Sequence, residues 1–161
     1  MIAVFNSSPL IFLSRLNIIN EVIGLFSKLV IPGYVKKEIF RKEGIVSDKV
    51  KDLLRLNNVV EVEAKNLRMV DAFCRKLGKG ESEAIVVAIE HSADFVILDD
   101  HVAREEAIQV GLNVKGTLGT IRKLMELDII QCDLDKLYRD LLEIRFRVKR
   151  GIFDEIFADS M

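Results

Sequence analysis

Short apolar runs alternate with stretches of helical periodicity along the whole chain. Ile2 to Phe5 is the first run, closed at once by Asn6-Ser7-Ser8-Pro9. It reads as a buried strand running into a helix, with Ser7 or Ser8 as the cap and Pro9 in the first turn. Leu10, Ile11, Leu13 and Leu16 then recur at helical spacing, and a second helix is predicted over 19–25 with Val22, Ile23 and Phe26 inward. Leu29 to Ile31 reads as a second strand, stopped by Pro32-Gly33. Helices are expected over 34–42 and 48–56, and Val59 to Val62 reads as a short strand or edge segment.

The middle of the chain is helical over 67–77 until Gly78-Lys79-Gly80 interrupts, and Glu81 opens a helix running to about His91. Phe95 to Leu98 is wholly apolar after the turn Ser92-Ala93-Asp94, the pattern of a central parallel strand. Asp99-Asp100 ends it, and a helix follows over 102–110. Gly111 suits a C-cap before a short strand at Asn113-Val114. Further helices are predicted over 117–127, 134–147 and 153–157. Strands alternating with helices predict an α/β fold: a three-layer αβα sandwich around a central, mainly parallel sheet of about four to five short strands. With no internal repeat, linker or low-complexity tract, residues 1–161 read as one domain.

Composition sharpens this. Half of the 161 residues are hydrophobic and the mean hydropathy is +0.22, so the chain has material for a real core and is not a disordered polymer. Lys and Arg number 24 against 25 Asp and Glu, a net charge of −1. That balance excludes a generic basic nucleic-acid binder unless charge is clustered locally. Cys74 and Cys132 have neither metal-site nor disulfide-framework spacing, and read as small buried hydrophobes of a protein kept in a reducing compartment. His91 and His101 are too few for a histidine-based metal site and are expected on helix surfaces. The side chains of residues 1–14 are uncharged, but Asn6 to Pro9 interrupt any signal-peptide core, and no run approaches the ~18 apolar residues of a membrane span. A cytoplasmic protein with no membrane association is the expectation.

In open parallel sheets ligands collect at the carboxyl ends of the strands. Asn6 follows the first strand there, and Asp99-Asp100 follow the central one. Two carboxylates about 4 Å apart repel by about 4 kcal/mol at an effective dielectric of 20. A hard divalent cation relieves this; a helix cap from Asp99 or Asp100 is the equally weighted alternative. Glu81 shares a helical stripe with Ala84, Ile85 and Ala88 and would stand at the helix N-terminus, where the dipole favours an anion. Glu83 points to nearly the opposite side, so Glu81 is the preferred candidate; an acidic first turn is the plainer account. Glu38 lies three residues after Val35 beside the apolar face, or else pairs with Lys42 one turn on. Gly78-Lys79-Gly80 lacks the phosphate-loop pattern, and GxSxG, HExxH and GxGxxG are absent. The densest basic run, 138–150, holds Arg139, Arg145, Arg147, Lys149 and Arg150 around Phe146. It suits phosphate contacts, or equally a solvated helix face with Phe146 in the core.

Taken together, these segments resemble the PIN-domain family. Asn6-Ser7-Ser8-Pro9-Leu10-Ile11 resembles its opening motif, which usually reads Asp-x-Ser. Pro32-Gly33-x-Val35-x-x-Glu38 resembles the second motif, and Gly78-x-Gly80-Glu81-x-Glu83-Ala84-Ile85 with Ala88 the third. Leu98-Asp99-Asp100, then Ala103-Arg104 and Gly111-Leu112-x-Val114, resembles the fourth, and Gly116-Thr117-Leu118-Gly119 is similar to a VapC-like branch. The resemblance covers nearly the whole chain. It implies a single-strand-specific endoribonuclease dependent on Mg²⁺ or Mn²⁺, commonly the toxin of a toxin–antitoxin pair and a homodimer. The acidic positions map onto Asn6, Glu38, Glu81 and Asp100, with Glu83 and Asp99 as alternates at the third and fourth motifs. These residues would hold one or two metal ions. Ser8, Arg104, Arg145 and Arg147 are the candidate RNA contacts, and an antitoxin protein is an implied partner. Asn6 departs from the pattern by placing a neutral amide where a carboxylate is usual. That departure favours the rival expectation, a catalytically degenerate PIN-like module that binds RNA or protein. A small-molecule phosphohydrolase would need a nucleophilic Asp that the first strand does not supply.

Overall fold

In a computed structural model, which describes residues 1–158, the apolar runs form one five-stranded, all-parallel sheet. Its strands are β1 (Ile2–Phe5), β2 (Lys28–Pro32), β3 (Val59–Val62), β4 (Phe95–Ile97) and β5 (Val114–Lys115), laid side by side as β3-β2-β1-β4-β5. Register sets Ala3 opposite Leu29 on one side and Phe95 on the other. Successive strand side chains point to opposite faces. Ala3, Phe5, Leu29, Ile31 and Ile97 therefore enter one core, while Val4, Val30, Val96 and Leu98 enter another.

Helices cover both faces, as buried parallel strands require. The first core is closed by α1 (Ser7–Arg15), α2 (Ile19–Ile23), α3 (Gly33–Phe40), α4 (Ile45–Leu53), α8 (Thr117–Glu126), α9 (Leu134–Glu143) and α10 (Arg150–Phe157). The second is closed by α5 (Leu67–Phe73), α6 (Lys79–Glu90) and α7 (His101–Gln109). Ala84, Ala88, Ala103 and Ala107 are fully buried there, and such small side chains let α6 and α7 lie close on the sheet. The three-layer α/β expectation holds. None of the helices among the described residues is long and apolar enough to cross a membrane.

Several local expectations need correction. Asn6, not Ser7 or Ser8, occupies the cap position of α1, with extended backbone (φ −77°, ψ 168°) and no capping bond from its side chain. Ser7, Ser8 and Pro9 form the first turn. The helix predicted over 134–147 ends at Glu143, because Arg145 takes a left-handed φ of 65°. Arg145, Arg147 and Lys149 thus lie on a connection rather than a helix face, while Phe146 is buried in the core as expected. Likewise α5 stops at Phe73, and Cys74 just after it is exposed rather than buried; Cys132 is half-buried. His101 lies on the surface of α7, 3.2 Å from Glu105, whereas His91 follows α6 and is half-buried.

Candidate metal centre and flanking basic groove

The strand order reverses between β1 and β4, so the crevice at their carboxyl ends is the switch point of the sheet. Asn6 lies there, its N–H donating to the Ile97 carbonyl at 3.1 Å across the β1–β4 pair. Its side chain is 3% exposed, and its Oδ1 is buried without a hydrogen-bond partner. An unsatisfied buried amide oxygen costs about 1–3 kcal/mol, and a cation or donor arriving from the crevice would remove that penalty.

Glu38 reaches this crevice from α3. A Cβ built on Gly80 would stand 2.6 Å from Glu38 Oε2, so the carboxylate lies directly against the glycine at the start of α6. Among the described residues it forms no ion pair with Lys42, and the surface-pair alternative falls away. Glu81 stands one residue on, half-buried, with Oε2 accepting the Gly78 N–H at 3.1 Å. Burial is the largest influence on its carboxyl and raises its pKa; the Gly78 bond opposes this, and the charges of Asp100 and Glu38 add to the rise. Asp100 caps α7, its Oδ1 accepting the Ala103 N–H at 2.9 Å. Glu81 therefore feels the charge of two acids carried by other helices, Glu38 from α3 and Asp100 from the start of α7.

The two alternates play other parts. Glu83 is buried where α6 packs against α3, and there Oε2 accepts the Tyr34 N–H at 2.7 Å and Oε1 the Ala64 N–H at 3.4 Å. It is an anion placed at the N-terminus of α3, which a helix dipole rewards. Both Glu83 oxygens are taken up by backbone N–H groups, and its charge is not among those that raise the Glu81 pKa. Asp99 is turned toward β5: Oδ1 accepts the Thr117 N–H and Oδ2 the Thr117 hydroxyl, both at 2.7 Å. Burial raises its pKa, while those two bonds and the Arg104 charge pull it back. Cap and crevice were alternatives for the Asp99-Asp100 pair; Asp100 serves as a cap and also faces the acids.

The candidate ligands offer oxygen donors: the orphaned amide oxygen of Asn6 and three carboxylates. This is the donor chemistry of Mg²⁺ and Mn²⁺. The oxygens are not gathered into a closed cluster, since among the described residues no group of three or more His, Cys, Asp or Glu is close enough to clasp an ion. Glu81 and Asp100 each spend one oxygen on a helix terminus and keep the other without a bonded partner among the described residues. By its chemistry the donor set fits a hard cation.

Beside the acids, a groove of about 1130 Å³ opens at the carboxyl ends of β4 and β5. Arg104, Lys115, Arg145, Arg147 and Lys149 line it, over an aliphatic floor that includes Leu118 and Ile152. Arg104 donates to the Leu98 carbonyl at 3.0 Å and sits where a Gly116 side chain would be, 2.8 Å from the built Cβ. Among the described residues Arg145, Arg147 and Lys149 make no ion pair, whereas neighbouring Arg150 is held by Asp135 and Asp154. The structure thus gathers three candidate RNA contacts, Arg104, Arg145 and Arg147, into one groove. Ser8 stays half-buried in the first turn of α1. Sequence reasoning missed Gly116 and Thr117 as the partners of Arg104 and Asp99, and missed Lys115. No local signal marks these roles, because each depends on β4 and β5 lying side by side.

A family model described as a PIN domain matches residues 2–160. No curated protein matches the sequence. The family match spans every motif discussed above, and the five-stranded parallel sheet with its acidic switch point agrees with it. The chain belongs to the PIN-domain family, whose members are generally nucleases that use divalent metals.

Proposed function

We propose that this protein is a single-strand-specific endoribonuclease that requires Mg²⁺ or Mn²⁺. The observation that carries the reading is the buried, unpartnered Oδ1 of Asn6 at the switch point of the sheet, and the charges of Glu38 and Asp100 acting on Glu81 support it. Asn6, Glu38, Glu81 and Asp100 would hold the ion. When bound, a divalent cation activates water and stabilises charge on a phosphodiester. The chain's own residues do the rest. Gly80 gives Glu38 room to lie against α6. Glu81 is positioned by its bond to the Gly78 N–H at the start of α6, which leaves its other oxygen for the ion. Arg104, Arg145 and Arg147 orient the strand through its backbone. Ser8 supports the first turn of α1 rather than attacking.

The same reading makes the protein a cytoplasmic toxin, active as a homodimer and silenced by an antitoxin protein. The rival, a degenerate module that binds RNA without cutting it, draws on one observation: Asn6 contributes no charge where a carboxylate is usual. Purified protein is to be incubated with single-stranded RNA in Mn²⁺ and in EDTA, beside Asp100→Asn. Cleavage that needs Mn²⁺ and is lost in Asp100→Asn supports the nuclease. RNA binding that survives replacement of Glu38 and Asp100 by Ala, without metal-dependent cleavage, would establish the rival instead.

A further inference from the structure

Tyr34 gathers two cations that no acid neutralises. Lys79 Nζ, from the start of α6, lies 5.1 Å from the centre of the Tyr34 ring. The Arg41 guanidinium, just past the end of α3, lies 5.5 Å from the same centre and donates to the Tyr34 hydroxyl at 3.2 Å. Both cations are exposed, and neither has an ion pair among the described residues. They come from different elements, so nothing in local sequence forces them together. The ring attracts each of them, yet two like charges at one spot repel. An anion placed between them would turn that repulsion into attraction.

The position of the cluster says which anion. Tyr34 lies one helical turn before Glu38, so the two share a face of α3. Lys79 directly precedes Gly80, against which the Glu38 carboxylate rests. Glu83 anchors the backbone of Tyr34 from α6, which fixes the ring's starting point. Across the carboxyl edge of the sheet the order is therefore Tyr34 beyond β2, Asn6 beyond β1, Asp100 beyond β4, and the Arg145–Arg147 groove beyond β5. Adjacent strands lie about 4.8 Å apart, so β2 and β5 are separated by roughly 14 Å. The acids are flanked by positive charge on both sides, and one anion chain crossing the edge would meet cation, acid cluster and cation in turn.

We infer that Tyr34, Arg41 and Lys79 form a phosphate subsite that holds the backbone of a single-stranded RNA on the side of the acid cluster opposite the basic groove. The inference rests on the nuclease reading for its ligand, but the two fail separately. The phosphate accepts from the Arg41 guanidinium, the Lys79 ammonium and the Tyr34 hydroxyl, and the Tyr34 ring keeps both cations in place when no strand is bound.

The test is equilibrium binding of a short single-stranded oligoribonucleotide in EDTA, measured over a series of salt concentrations. Neutralising one phosphate of a single strand contributes about 0.7 to the slope of log affinity against log salt. Arg41→Ala with Lys79→Ala should flatten the slope by about that amount. Tyr34→Phe should weaken binding without flattening it, because no charge is lost. A control pair at the amino end of the sheet, Lys28→Ala with Arg55→Ala, should leave the slope as it is in the unaltered protein. An oligonucleotide carrying a neutral methylphosphonate at the critical position should bind the unaltered protein and the Arg41/Lys79 variant equally well. If the Arg41/Lys79 variant keeps the original slope while Arg145→Ala with Arg147→Ala flattens it, the subsite is overturned and RNA binding stands. If the unaltered protein does not bind the oligonucleotide, the subsite falls together with the RNA substrate. Flattening in the Arg41/Lys79 variant of a protein that never cleaves would uphold the subsite and sink the nuclease.

Discussion

Thr117 holds both carboxylate oxygens of Asp99, one through its N–H and one through its hydroxyl, each at 2.7 Å. This bond pair ties the end of β4 to the first turn of α8 and turns Asp99 away from Asp100, although the two are neighbours in sequence. Thr117→Ala leaves a buried carboxylate oxygen without its donor, a loss of about 1–3 kcal/mol, to be read from urea denaturation.

The same aspartate gives a pH dependence with a defined sign. Burial raises the Asp99 pKa in the folded protein, so the folded state binds the proton more readily than the unfolded one. Stability contributed by Asp99 is therefore present at acid pH and declines as pH rises from the ordinary aspartate range through the raised value. Asp99→Asn should abolish that decline, as seen in urea midpoints collected across the acid range. A variant whose midpoints still follow the pH profile of the unaltered protein would assign the effect elsewhere.

Glu81 and Glu83 are two residues apart and should separate cleanly by substitution. Glu83→Ala removes a charged acceptor from the Tyr34 N–H and should cost about 1.5–3 kcal/mol of stability. Glu81→Gln keeps an acceptor for the Gly78 N–H, so thermal stability should hold while RNA cleavage falls at least about tenfold, the equivalent of 1.4 kcal/mol in the barrier. Equal loss of stability in both would show that Glu81 is structural too.

Divalent-cation binding should weaken as pH falls, starting above the ordinary glutamate range. The raised Glu81 pKa means that this group is protonated earlier than a free glutamate, and a cation must then displace the proton. Mn²⁺ titrations at a series of pH values would show the trend, and Glu81→Gln should flatten it.

Gly80→Ala offers a substitution that harms the site and spares the fold. The new Cβ would fall 2.6 Å from Glu38 Oε2, so the Glu38 carboxylate must swing away. Ala is favoured over Gly within a helix by roughly 0.5–1 kcal/mol. The melting temperature should stay level or rise while metal-dependent cleavage drops; unchanged cleavage would remove Glu38 from the site.

Asn6→Asp supplies the missing charge at the orphaned oxygen. It should raise Mn²⁺ affinity by about tenfold or more and increase cleavage, both measurable beside the unaltered protein, since tenfold corresponds to 1.4 kcal/mol. A variant with no gain in affinity would show that position 6 does not touch the ion.

Much of this protein was legible in its residue pattern. Apolar runs such as Phe95 to Leu98, bracketed by turn residues and separated by helical periodicity, determined strands, helices and the α/β class, because burial periodicity is a local property. Helix ends were harder: the pattern carries α9 to Arg147, but the chain breaks at Arg145, where a left-handed backbone opens the groove. That Glu81 and Glu83 would meet different partners was also legible, since residues two apart on a helix point in different directions.

Tertiary structure alone decided what those residues meet. Parallel strands pair across long crossovers, so nothing within a segment states that β4 lies between β1 and β5. That lateral order brings Asn6 beside the β4 terminus and gives Asp99 to Thr117. It also sets Tyr34 and the basic groove on opposite flanks of the acids. The sequence by itself determined which chemistry the chain carries. Non-local strand pairing decided where that chemistry converges, because proximity across the sheet depends on long-range contacts that no short window of residues encodes.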